Sequence, residues 1–258
     1  MIAGFERDEI LHEALVTPRS ALVPFPGVTV IERPGWFQLI SPPFRDGGLN
    51  EVSRAQLADD EADAVIDATL AQYAAQGIRF KWVVTPSCRP LDLRERLARR
   101  GMLHRRCIVM AADIADITVP PTPDVTVEPV DVDNVDAFAD VVTTGWDTRG
   151  SPLADLQRAQ IADPARRHRG FLARIDGRPV GGANHIVLAR SAYFVGAVVL
   201  PPFRGRGVYR ALIAARLAAL AAAGLRLVTI QALADTSAPI LTRLGFVPVA
   251  ELDVFANR

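Results

Sequence analysis

A turn rich in arginine and glycine, PPFRGRGVYR at residues 201–210, leads directly into an alanine-rich segment with helical periodicity. The first backbone N–H groups of a helix lack intrahelical acceptors, and glycines allow a ligand to approach them closely. Positive side chains and the helix dipole add attraction for negative charge. The chemistry that this turn suits is therefore the binding of an anion.

Known phosphate-binding patterns narrow this hypothesis. A P-loop requires GK[ST], which is absent, and a dinucleotide fingerprint requires glycine where this chain has Arg210. A third pattern fits: an apolar strand, a proline, and then [QR]xxGx[GA] opening a helix, here with Arg204 first and Gly207 as the required glycine. A lone RGxG turn is more often an ordinary helix start, so the flanking strand and helix carry the argument.

Together with TRLGF at residues 242–246, this pattern resembles that of the GNAT family of acyl-CoA-dependent N-acetyltransferases. The resemblance covers residues 125–258 well and the first half only in outline. It implies acetyl-CoA as co-substrate, with its pyrophosphate bound by Arg204, Gly205, Arg206, Gly207, Val208, Tyr209 and Arg210. It also implies that the backbone of Val198 and Val199 binds pantetheine and the thioester carbonyl. Tyr209 departs from the pattern, which has glycine or alanine there, and a tyrosine could crowd the phosphates.

Hydrophobic periodicity predicts the elements that position this turn. Strands are predicted at 125–130, 170–176, 179–188, 192–200, 226–233 and 247–255, and helices at 132–145, 152–162, 207–223 and 236–244. The predicted fold class is α+β, with a mixed, mostly antiparallel sheet that has helices on both faces.

The chain repeats one pattern of helix, glycine and buried strand, because residues from Leu70 match residues from Leu217 at an offset of 147. The segment 118–124 carries three prolines and is predicted to be a linker. We therefore expect two tandem GNAT-like domains, 1–117 and 125–258. In the first copy the arginine-glycine turn is replaced by residues 57–62, which carry three carboxylates and would repel a pyrophosphate. This copy is predicted to be degenerate and without cofactor.

Acetyl transfer to an amine requires a neutral amine and a proton for the departing thiolate. Family members often use a glutamate and a tyrosine, where this chain has Tyr193 and Leu241. Tyr193 is the catalytic candidate, and its alternative role is packing in the pocket. His185 is a second titratable candidate near the acceptor, and its alternative role is that of a hydrogen-bonded polar residue in the sheet.

Trp146 and Asp147 lie between the first two predicted helices of the second copy, a region that often contacts acceptors in the family. Asp147 could pair with the ammonium group of a substrate, or it could simply be solvated at the surface. The expected acceptor is a small-molecule amine.

Composition excludes several other classes of function. The 29 basic and 29 acidic residues cancel, which argues against nucleic acid or an anionic membrane as partner. Cys88 and Cys107 have no metal-ligand spacing, and no metal is expected. With no signal peptide and no apolar run of membrane length, we expect a cytoplasmic protein, as monomer or homodimer.

Two hypotheses follow. The first is an N-acetyltransferase in which the amine attacks acetyl-CoA directly. The alternative is a catalytically inactive acyl-CoA-binding sensor or scaffold, because the usual glutamate and tyrosine are absent.

Overall fold

The computed structural model describes residues 1–46, 48–148 and 150–257. Its α-helices are α1 (Arg7–Leu15), α2 (Ala62–Ala75), α3 (Leu93–Arg99), α4 (Val135–Trp146), α5 (Leu153–Ala162), α6 (Val208–Ala222) and α7 (Ser237–Leu244). Its strands are β1 (Thr29–Arg33), β2 (Trp36–Ile40), β3 (Glu51–Ser53), β4 (Lys81–Val84), β5 (Leu103–Asp113), β6 (Thr126–Pro129), β7 (His168–Ile175), β8 (Arg178–Val187), β9 (Ser191–Val199), β10 (Leu227–Leu233) and β11 (Val247–Ala256). The helices and strands predicted between residues 125 and 255 are therefore confirmed, with ends that differ by at most three residues.

The chain packs as two compact units. The larger unit comprises residues 1–23 and 109–250, and the smaller unit comprises residues 24–108 and the chain from Glu251 onward. These bounds differ from the sequence division at 118–124. The N-terminal helix α1 packs on β9 and β10 of the larger unit, and the end of β11 pairs with β4 in the smaller one. Whether the halves are copies of one ancestral domain stays a prediction.

The smaller unit has the local pattern that the repeat predicts. Helix α2 is followed by Gly77 and β4, as α6 is followed by Gly224 and β10. Strand β4 pairs in parallel with β3 and antiparallel with β11. Its core contains the edge-to-face pair Trp36–Trp82, with ring centroids 5.6 Å apart. Buried aromatic area of this kind is a large part of what holds such a small sheet to its helices.

The larger unit is a mixed sheet with helices on both faces, as expected. The pairs β6–β7, β7–β8 and β8–β9 are antiparallel, and β9 pairs in parallel with β10. Alternate side chains of β7 face opposite cores: Phe171 packs with Leu212 of α6, and Leu172 packs with Phe138 of α4. Helices α6 and α4 therefore cover opposite faces of the sheet.

Strand β9 contains an irregularity that opens the sheet. Its pairing with β8 shifts register between Val195 and Ala197, which leaves Gly196 as a bulge. Its pairing with β10 extends only from Ser191 to Phe194. Beyond Phe194 the two parallel strands separate, and a gap opens between them toward their carboxyl ends. No helix among the described residues is both long and apolar enough to cross a bilayer.

Candidate functional site

A cavity of about 670 Å³ lies in the larger unit, beside the separated ends of the parallel strands. Its walls are the last residues of β9, the turn and first residues of α6, and one side of α7. The cavity is lined by Arg204, Arg210 and Arg243 and by no carboxylate of the described residues. The walls thus carry positive charge close to a helix start.

The turn presents a row of backbone donors. The N–H groups from Gly205 to Arg210 donate no hydrogen bond to any described residue, and the first bond of α6 runs from Ala211 to Gly207. Gly207 caps the helix with φ +82°, a conformation that glycine adopts readily. A Cβ there would lie 2.7 Å from a methyl group of Thr122 and 3.3 Å from Nη2 of Arg210. Glycine is therefore required at position 207 by its backbone conformation and by the close packing of Thr122, and the N–H groups around it form a cradle of donors, as an anion requires.

The arginines of the turn hold different positions. Arg204 donates from Nε to the carbonyl of Val199, and Arg210 lies beside Gly207. Arg206 is exposed, stacks on Phe203 and is not part of the cavity wall. Arg243 lies on α7 and lines the opposite wall of the cavity. It was not predicted as a site residue, although it belongs to the TRLGF motif.

The edge of β9 supplies further donors. The N–H of Leu200 donates to Val180 on β8. Because backbone groups alternate along a strand, Val199 and Ala197 turn their N–H groups away from β8, toward the gap, and Val198 turns toward β8. The side chain of Val198 also packs on the opposite face, where a Cβ on Gly145 would collide with it. We therefore assign the edge that faces the gap to Ala197 and Val199, a correction to the expectation for Val198.

Tyr209 lines the cavity and does not fill it. It is partly buried, and its neighbour is Arg216, also on α6. Burial raises the pKa of Tyr209, and the charge of Arg216 opposes that rise. Tyr209 is therefore a neutral residue of the cavity wall.

Arg216 is the least expected residue near the site. It is 1% exposed, lies 3.9 Å above the ring of Phe194, and donates to the carbonyls of Leu212 and Asn184. Burial lowers its pKa to about 10, so it stays charged at neutral pH. Asn184 is where the pairing of β8 shifts register, so Arg216 satisfies a carbonyl at the bulge.

On the opposite face of the sheet, Trp146 and Asp147 end α4. Trp146 is 44% exposed, and its ring lies against Gly196 at the bulge. Asp147 is exposed and adopts a left-handed conformation as the helix cap. The structure thus brings Trp146 to the bulge of β9, on the side away from α6, and leaves Asp147 exposed at the end of the helix.

His185 does not lie beside Trp146 at the bulge of β9. It is 1% exposed and stacks near Phe171 and Phe194 on the α6 side of the sheet. Burial lowers its pKa to about 3, and Nδ1 has no hydrogen-bond partner among the described residues. The ring is therefore neutral and enclosed, which disfavours both the acceptor role and the alternative of a fully hydrogen-bonded sheet residue.

Tyr193 faces the same side as Trp146, where it packs near Ala21, Ile186 and Leu188. Leu241 is fully buried and apolar, so it offers no proton. The structure adds a carboxylate that the sequence argument missed: Glu13 of α1 is 8% exposed and accepts a hydrogen bond from Ser191, two residues before Tyr193 on the same face. No local sequence signal marks Glu13, because the contact spans most of the chain.

In the smaller unit the start of α2 corresponds to the start of α6, but acidic side chains surround it instead of basic ones. Arg96 reaches it from α3 and pairs with Asp63 at 2.5 Å and with Asp92 at 2.9 Å. Exposed carboxylates at Asp59 and Asp60 stand where the larger unit has arginine and glycine. The described residues of the chain hold no cluster of histidine, cysteine and acidic side chains with metal-ligand geometry.

Comparison with known proteins is consistent with this geometry. Residues 135–246 match the model of the acetyltransferase (GNAT) family. No curated protein matches the chain.

Solved structures share the fold over nearly the whole chain. A GCN5-related N-acetyltransferase from Kribbella flavida has a TM-score of 0.64 at 21% identity, and the match covers 94% of this chain and 96% of that one. A tandem GNAT protein from the clavulanic acid biosynthesis pathway has a TM-score of 0.57 at 14% identity, covering 100% and 96%. A conserved protein of unknown function from Staphylococcus epidermidis has a TM-score of 0.68 at 15% identity, covering 94% and 97%.

Proposed function

Because residues 135–246 form a GNAT acetyltransferase domain within a tandem GNAT fold, we propose that the protein transfers an acetyl group from acetyl-CoA to the amine of a small molecule. The larger unit would hold one acetyl-CoA. The smaller unit, whose helix start is acidic, would hold none. We place the protein in the cytoplasm, where acetyl-CoA and small amines meet.

The observation that carries the proposal is the row of free backbone donors from Gly205 to Arg210, flanked by Arg204 and Arg243. A pyrophosphate has several negatively charged oxygens that can accept hydrogen bonds from these N–H groups. Such charge-assisted hydrogen bonds are about twice as strong as neutral ones. The groove along Val199 and Ala197 then offers N–H groups to the amides of pantetheine. The bound molecule would extend from the turn toward the bulge of β9.

Acetyl-CoA, when bound, supplies an acetyl group activated as a thioester. The residues of this chain orient it: N–H groups at the separated edge of β9 point to where negative charge develops on the carbonyl oxygen. The amine would approach from the face of Trp146, opposite to α6. Its nitrogen forms a bond to the acetyl carbon, the carbon–sulfur bond breaks, and the electron pair leaves with sulfur. The only cysteines, Cys88 and Cys107, are buried in the smaller unit, which favours direct attack over an acyl-cysteine.

The groups that can transfer protons lie on the face of β9 against which Trp146 packs, where the amine would approach. Tyr193 occupies the position where family members often have a glutamate. Glu13 accepts a hydrogen bond from Ser191, which lies two residues before Tyr193 on the same face of the strand. Leu241 cannot protonate the leaving thiolate, so solvent at the open cavity is its proton source. The nitrogen attacks as a neutral amine, so an ammonium substrate loses one proton first, and a further N–H proton leaves the nitrogen as the amide forms. These protons pass to a base on this face or to solvent.

The second candidate function is a sensor that binds acyl-CoA without turnover, which buried, apolar Leu241 favours. Thiol release from acetyl-CoA, measured across a panel of amines together with product mass, separates the two. Release that depends on one amine and yields its N-acetyl product supports the enzyme. Tight acetyl-CoA binding with no release for any amine would favour the sensor.

A further inference from the structure

The proline-rich segment that joins the two halves of the sequence lies against the cavity. We define the strap as residues 117–122. At one end, a methyl group of Ile117 lies 3.2 Å from where a Cβ on Gly245 would stand, at the end of α7. At the other end, a methyl group of Thr122 lies 2.7 Å from the corresponding point on Gly207, at the start of α6. The strap therefore runs from one helix of the cavity wall to the other.

Between these contacts the strap forms part of the wall. Thr118 and Pro120 line the cavity, and both are exposed residues without another packing role in the larger unit's core. Proline fixes φ near −65° and restricts the residue before it, so two adjacent prolines stiffen the strap. A stiff wall holds its shape before a ligand binds, which reduces the entropy lost on binding.

The order of groups in coenzyme A indicates what the strap meets. The pyrophosphate lies between the nucleotide and the pantetheine. If the pyrophosphate sits on the donors of Gly205–Arg210 and pantetheine follows β9 inward, the nucleotide must leave on the other side. The methyl group of Thr122 in the strap packs on Gly207, the centre of that cradle, and farther along the strap Thr118 and Pro120 add a hydroxyl-bearing side chain and an apolar ring to the cavity wall. A ribose phosphate and an adenine ring match these two surfaces.

We propose that the strap is the nucleotide-binding wall of the donor site, so that the protein selects thioesters of coenzyme A over thioesters that lack the nucleotide. This inference rests on the proposed function, since it takes acyl-CoA as the donor. It gives the joining segment a role in recognising the substrate, in addition to connecting the two halves.

The test is a charge placed on the strap. In Thr118→Asp a carboxylate would face the nucleotide phosphates, and like charges at contact distance in a partly enclosed site lower affinity by about tenfold or more. Pro121→Asp is the matched control, because Pro121 is exposed in the same segment and does not line the cavity. Affinities for coenzyme A and for S-acetyl-4′-phosphopantetheine, which lacks the nucleotide but keeps one phosphate of the pyrophosphate, are measured by calorimetry, with displacement for the weaker ligand.

We expect Thr118→Asp to lose at least about tenfold in affinity for coenzyme A and to bind S-acetyl-4′-phosphopantetheine as the unaltered protein does. Thr118→Val, which removes only the hydroxyl, should lose a smaller part of the coenzyme A affinity and keeps the test available if the aspartate variant fails to fold. Equal losses for both ligands, an equal loss in Pro121→Asp, or no loss would overturn the strap's role. Failure of the unaltered protein to bind coenzyme A at all would instead overturn the proposed function.

Discussion

The ring of Trp146 lies against the backbone of Gly196, so that a Cβ at position 196 would stand 2.6 Å from ring atom Cη2. Gly196 is the bulged residue of β9 and has φ +48°. The end of α4 and the opening in the sheet are thus packed closely against each other at Gly196, which has no side chain. Trp146 is thereby held against the bulge, on the face of the sheet where we propose that the amine binds.

Gly196→Ala should lower kcat/KM for the amine by about tenfold or more, because the added methyl group displaces Trp146 and small shifts at a reacting centre are costly. The left-handed backbone also costs about 1 kcal/mol of stability for a residue with a Cβ. Gly224→Ala is the control, since Gly224 has φ +74° and nothing within 4 Å of its Cβ position. Steady-state kinetics and thermal unfolding of both variants check this, and equal kcat/KM in the two would contradict the fit.

Gly207→Asp should weaken acetyl-CoA binding by at least about a hundredfold. A carboxylate would stand where free N–H groups meet phosphate, and each lost hydrogen bond to a charged group is worth about 1.5–3 kcal/mol. The new Cβ would also press on Thr122.

Gly177→Asp controls for the backbone effect, because Gly177 has φ +74° in a turn and nothing within 4 Å of its Cβ position. Calorimetry with acetyl-CoA measures both variants. Unaltered affinity in a folded Gly207→Asp protein would show that the turn is not the phosphate site.

Tyr193→Phe should lower kcat by no more than about 10²- to 10⁴-fold, the range of one proton-transfer group. If the ring only packs, the rate stays nearly unchanged. The pH dependence of kcat/KM decides, since it reports ionisations of the free enzyme and free amine. A profile that follows only the pKa of the amine, in both proteins, would exclude Tyr193 as the base.

His185 should make the fold less stable in acid. Burial lowers its pKa to about 3 in the folded protein, against an ordinary value of 6.5. Between these values the unfolded chain binds a proton that the folded chain does not, so stability present above pH 6.5 is lost as pH falls toward 3. The loss from this group approaches about 1.4 kcal/mol per pH unit within the window.

Chemical denaturation at several pH values, with the unaltered protein and His185→Gln, measures the effect. The variant should show a shallower pH dependence, and the ¹⁵N spectrum of the imidazole should report a neutral ring at pH 5. A protonated ring at that pH would contradict the burial argument.

The sequence predicted the elements of the larger unit because its apolar residues recur with clear periods of about two and 3.6. It also located the turn before α6, because arginine and glycine there have a local chemical reason, and phosphate binding at this turn stays a prediction. The bulge at Gly196 could not be predicted, since one inserted residue reverses which side chains and N–H groups face the groove. The expectation for Val198 needed correction for a simpler reason: adjacent residues of a strand turn their N–H groups to opposite sides, so Val198 and Val199 cannot both face the gap.

Long-range contacts explain the other differences. Arg216 stands in a helix where arginine usually faces solvent, and its burial depends on two partners outside that helix, the carbonyl of Asn184 and the ring of Phe194. Residues 118–124 have the composition of a linker, yet Thr118 and Pro120 line the cavity. Glu13 reaches Ser191 from the other end of the chain. None of these contacts has a signature within a short window of sequence.

The measurement that tests the central claim most directly is the release of coenzyme A thiol from acetyl-CoA, followed with and without an amine acceptor, with the N-acetyl product quantified in the same reaction. We predict release that depends on the amine, equal amounts of thiol and N-acetyl product, and loss of both in Gly207→Asp. Binding of acetyl-CoA with no amine-dependent release for any acceptor, or release that persists unchanged in Gly207→Asp, would contradict an acetyltransferase site at this turn.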